Sequence, residues 1–164
     1  MTSPVRLWTC AAHHSIFRCG GWAWLREAGG AGAAVTGAAG GERNTSAQRM
    51  ALTGLVGSLG GLPPADARPI SLYVTGPELA GLERILAGAT PGGGADADQD
   101  LDLWARILTA AKGRRFTVIP VSVQPATPMA FAAAWAELGM DKAKATGAFT
   151  AAIPRPNLAK IQGL

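Results

Sequence analysis

The stretch Ala47–Leu62, AQRMALTGLVGSLGGL, has the apolar spacing of a helix lying on a sheet, with Leu52, Leu55, Val56 and Leu59 on one face. Thr45 and Ser46 ahead of it are N-cap residue types, and Gly60 and Gly61 behind it can end a helix through positive φ. Upstream, Val5–Cys10 alternates as a strand, Gly20–Arg26 reads as a second and Ala31–Ala39 as a glycine-diluted third. Downstream, Pro69 opens the alternating strand Ile70–Thr75, and Pro77 suits the first turn of a helix holding Leu79, Leu82, Ile85 and Leu86. A loop, Pro91–Asp100, leads to a helix Leu101–Lys112, a strand Arg115–Val121, a turn Pro125–Pro128 and a helix Met129–Leu138.

Three consecutive strands imply an antiparallel meander, and strands separated by helices imply parallel additions. The expectation is an α/β domain with a five-stranded mixed sheet and helices on both faces, spanning residues 1–140. Residues 141–164 read as an extended basic tail carrying Lys142, Lys144, Arg155 and Lys160, where Pro154 and Pro156 oppose a regular helix.

The chain has 164 residues, 48% of them apolar, enough for one domain with a sizeable core. No apolar run reaches the roughly 18 residues of a membrane span. The N-terminus MTSPVRLWTC lacks a basic region followed by an apolar one, and two cysteines make no disulfide framework, so a cytoplasmic protein is expected. A net charge of +4 is compatible with nucleic acid without requiring it. Only 16% of residues are charged, which suits either a surface covered by a partner or the drift of a GC-rich genome.

Five pieces, in order, resemble ribonuclease H of type 1. Thr9 followed after a loop by Gly20-Gly21-Trp22 resembles that family's first hairpin. Gln48-Arg49-Met50-Ala51-Leu52 resembles its first-helix signature, with alanine in place of glutamate, and Leu72-Tyr73-Val74-Thr75-Gly76 its fourth strand. Asp102-Leu103-Trp104-Ala105-Arg106 matches a later helix almost residue for residue. The resemblance covers about Val5 to Leu138 and implies the ribonuclease H fold.

It also implies a site where four carboxylates hold two Mg²⁺ ions that cut the RNA strand of an RNA–DNA hybrid. Carried over by position, those carboxylates fall on Cys10, Ala51, Gly76 and either Ala133 or Ala134. None of these side chains holds Mg²⁺, which is bound mainly through carboxylates and substrate phosphates. The resemblance therefore leads to a domain that is not an enzyme, with no cofactor and no metal, acting as a binding or architectural subunit among other protein subunits of a nucleic-acid-handling complex.

The family's phosphate pocket maps to Asn44, Thr45, Ser46, Gln48 and Arg49, where hydroxyls, amides and a helix N-terminus can hold a phosphate of RNA or DNA. An ordinary N-cap with a solvated arginine explains the same residues. Where the family carries a basic handle, this chain has Asp96, Asp98, Asp100 and Asp102, which would repel a phosphate backbone. Lys112, Arg114 and Arg115 form a separate basic cluster. A stand-alone nucleic-acid binder is thus an alternative. A third reading takes Cys10, His13, His14 and Cys19 as zinc ligands, or Cys10 as a nucleophile with a histidine base, although the spacing matches no common zinc module.

Overall fold

The computed structural model describes residues 3–28, 34–62, 68–88 and 99–164. Strands β1 (Val5–His14), β2 (Cys19–Glu27) and β3 (Val35–Glu42) form the antiparallel meander. Helix α1 (Ala47–Gly60) crosses to β4 (Ile70–Val74), which pairs parallel with β1, and β5 (Phe116–Pro120) adds parallel to β4. A 3₁₀ turn (Pro77–Leu79), α2 (Leu82–Leu86) and α3 (Leu101–Ala111) connect β4 to β5. Helix α4 (Pro128–Thr146), a strand β6 (Phe149–Ala152) and a short α5 (Arg155–Leu158) complete the chain.

Among the described residues the sheet has six strands, not five, in the order β5-β4-β1-β2-β3-β6. The extra strand lies in the segment expected to be an extended tail, where Phe149–Ala152 pairs antiparallel with Ala38–Gly41 of β3. Its small residues give little strand signal, and the neighbouring cations and prolines mask it. Pro154 and Pro156 do not prevent α5, because they sit at its cap and first turn, where a missing N–H leaves no bond unmade. β1 runs four residues beyond Cys10, to His14. The helix expected from Pro77 is split by Gly81 at φ +78°. The part of the expected third strand before Ala34 lies outside the described residues, as do Asp96 and Asp98.

Strand alternation divides the core between the two faces. Leu7, Leu72 and Val74 pack under α1 and α3 with Leu52, Leu55, Trp104 and Ile107. Trp8, Cys10, Ala23 and Leu25 face α4 with Met129, Ala132 and Ala136. Ser46 caps α1, its Oγ accepting from the Arg49 N–H at 3.0 Å. The other end of α1 closes without the expected positive φ, since Gly61 lies at φ −100°. Arg26 instead donates to the carbonyls of Gly57 and Ser58 while its guanidinium covers Trp24.

Gly139, expected to end the last helix, lies inside α4, which continues to Thr146. A Cβ there would stand 2.2 Å from the Gly40 carbonyl oxygen, and one on Gly21 would stand 2.0 Å from that of Ala136. These glycines let helix and sheet backbones touch, and that contact fixes α4 across β1, β2 and β3.

Candidate functional site

β1 and β4 pair only from Val5 to Trp8, so past that point the sheet splits at the carboxyl ends of two parallel strands. Such a crevice is where open α/β sheets place ligands. It forms a cavity of about 550 Å³. Cys10 from β1, Ala51 from α1, Gly76 after β4 and Ala133 from α4 all line it. Four distant positions assigned from the resemblance thus converge. Ala134, the alternative to Ala133, is exposed and outside the lining.

Two glutamates that sequence reading missed also line the cavity, Glu78 and Glu137. Glu78 Oε2 lies 2.6 Å from where a Cβ on Gly76 would stand, so its carboxylate reaches back over the side chain that Gly76 lacks. Glu137 is one helical turn beyond Ala133, at i+4, and so on the same side of α4. That offset was the available signal. Burial pushes the Cys10 thiol up to about 11, and the charges of Glu137 and Glu78 push in the same direction. The thiol therefore stays protonated near neutral pH.

The donors do not fit a two-metal centre. At the four positions stand a thiol, a methyl group, no side chain and another methyl group, with two glutamates nearby. Among the described residues, no three His, Cys, Asp or Glu side chains group closely enough to share an ion. The zinc reading fails on the same ground. Cys10 packs on the α4 face, whereas His13, an odd number of residues away, turns to the α1 face and sits 3.0 Å from the Thr45 carbonyl through Nε2. His14 accepts from the Phe17 N–H, and Cys19 is buried. Cys10 thus has neither an ionised sulfur nor an aligned histidine base.

The expected phosphate pocket is partly consumed by the protein itself. Arg49 donates to Asp100 Oδ1 at 3.0 Å and to Asp102 Oδ1 and Oδ2 at 3.3 and 3.1 Å. Donating to Asp102 and Asp100 raises the Arg49 pKa, and accepting from Arg49 lowers that of Asp102. Ser46 is committed to capping, Thr45 is buried, Asn44 is exposed at φ +51° and Gln48 is half-buried. Lys112, Arg114 and Arg115 lie beyond the other end of α1, where Arg114 donates to the Leu62 carbonyl. A 14-residue helix is about 21 Å long, so the two basic groups do not form one surface.

No protein-family model matches the chain, and no curated protein matches its sequence. Solved structures do match. A type 1 ribonuclease H with a type 2 active-site motif superposes with a TM-score of 0.68 at 15% identity, covering 97% of this chain and 81% of the other. This is the ribonuclease H fold. The N-terminal ribonuclease H domain of a Mycobacterium tuberculosis protein matches with a TM-score of 0.63 at 14% identity, over 87% of this chain and 96% of that one. Ribonuclease H1 of the halophilic archaeon Halobacterium salinarum gives 0.55 at 16%, over 85% and 99%. Identities this low carry the ribonuclease H fold and leave the chemistry to be argued from the cavity.

Proposed function

We propose that this chain is a non-catalytic ribonuclease H-like domain that serves as a binding or architectural subunit of a nucleic-acid-handling assembly. The observation that carries this reading is the lining of the crevice: Cys10, Ala51, Gly76 and Ala133 in the places where the resemblance requires carboxylates. Hybrid cleavage in this fold depends on two ions that activate water and stabilise the leaving oxygen, and two glutamates are too few ligands for that pair. Binding hybrid alone through the α1 pocket is the weaker alternative, because Asp100 and Asp102 already neutralise Arg49. Catalysis at Cys10 is weaker still, given its buried, protonated thiol.

A surface poor in charge, with Ile16 and Phe17 exposed at the tip of the β1–β2 hairpin, suits protein contacts. Isolation of the tagged chain from its source at native level, followed by mass spectrometry and size-exclusion chromatography, tests this. Stoichiometric co-elution with nucleic-acid-handling proteins is expected. A monomer that elutes alone and shifts RNA–DNA hybrid with a steep salt dependence would favour the stand-alone binder instead.

A further inference from the structure

Helix α4 packs across β1, β2 and β3, and a second cavity, of about 520 Å³, opens between its first turn and the neighbouring face of β1 and β4. Its lining includes Arg6, Trp8, Tyr73, Gln124 and Met129. Trp8 and Tyr73 stack with ring centres 5.1 Å apart and planes within 9°. Trp8 is only 4% exposed, and its indole N–H, which has no acceptor among the described residues, is not one of the fully buried unpartnered atoms and so keeps some exposure to solvent. That group only donates. The Tyr73 hydroxyl also lacks a partner there. Arg6 lies over the Trp8 ring and commits Nε and Nη2 to Glu27, leaving Nη1 without a hydrogen-bond partner among the described residues. Thr127, on the same wall, is by contrast satisfied both ways, donating to Gln124 and accepting from Ala130.

Trp8 and Arg6 thus offer donors, the Tyr73 hydroxyl donates or accepts and Gln124 keeps its Oε1 as an acceptor, all set beside an aromatic pair. The size lies within the range of small-molecule sites, roughly 300–1,000 Å³. We propose that this cavity binds a planar aromatic ligand bearing an anionic group, of about mononucleotide size. The aromatic pair and Met129 contact the ring, while the indole N–H, the phenol and Arg6 Nη1 serve the anion and ring acceptors. This site is separate from the crevice and does not depend on whether the crevice is catalytic.

Calorimetric titration of the intact protein with adenosine monophosphate, adenosine, benzoate and inorganic phosphate tests the proposal. Saturable binding of the nucleotide or of benzoate is expected, and which of the two binds tells a nucleotide site from an aromatic-carboxylate site. Adenosine should bind at least about tenfold more weakly than the nucleotide, since charge-assisted hydrogen bonds are the stronger ones. Trp8→Phe, which keeps a ring and removes the N–H, should weaken binding by about fivefold or more, as should Tyr73→Phe. Circular dichroism establishes that each variant is folded, and half-buried Tyr73 makes its variant the safer of the two. Failure of both aromatic anions to saturate at millimolar concentration would overturn the proposal. So would affinities unchanged in both variants, or phosphate binding as tightly as the nucleotide.

Discussion

At the residue scale, Cys10 and Arg49 carry the sharpest consequences. The Cys10 thiol ionises at about 11 when folded against 9.0 when free, so the unfolded chain loses its proton first as pH rises. The contribution to stability is intact below pH 9.0 and is lost as pH climbs toward about 11. Thermal melts from pH 8 to 11 should therefore show a decline that is shallower in Cys10→Ala, and Cys10 should resist thiol reagents at pH 8 while the protein is folded. Arg49 is masked by Asp100 and Asp102. The double variant Asp100→Asn/Asp102→Asn should bind RNA–DNA hybrid by fluorescence anisotropy roughly three- to tenfold more tightly, with a salt slope steeper by about 1. Adding Arg49→Ala should cancel that gain; if it does not, the effect is one of general charge.

At the scale of elements, most of the fold was legible because its signals are local. Alternation marked β1 and β4, the Leu52–Leu59 spacing marked α1, and Asp102–Arg106 marked α3. What could not be read was tertiary. Gly139 looks like a stop in sequence, and only the approach of α4 to the Gly40 carbonyl explains a glycine inside the helix. β6 was illegible because four small or apolar residues become a strand only when β3 offers an edge. Two glycines in helices should respond oppositely to alanine. Gly60 has open space around its missing Cβ, so Gly60→Ala should stabilise the protein by about 0.5–1 kcal/mol. Gly139→Ala forces helix and sheet apart and should cost about 1–3 kcal/mol despite better helix propensity. Denaturant melts decide both, and equal effects would contradict the close packing.

For the whole molecule, the resemblance located the crevice, because the order of its pieces fixes which strand ends meet. Cys10, Ala51, Gly76 and Ala133 do line one cavity. Glu78 and Glu137 escaped notice because they stand two residues past Gly76 and four past Ala133, and only the 3₁₀ turn and the helical repeat bring them to the cavity. The Arg49 pairing was hidden for a similar reason, since Asp100 and Asp102 are 51 and 53 residues away in the chain. These acids make one experiment decisive. Purified protein is incubated with a labelled RNA–DNA hybrid in Mg²⁺ or Mn²⁺, beside Glu78→Gln/Glu137→Gln prepared identically. A non-catalytic domain gives no cleavage above the background of the double variant with either ion; divalent-dependent cleavage that disappears in the double variant would mean that the crevice remains an active site.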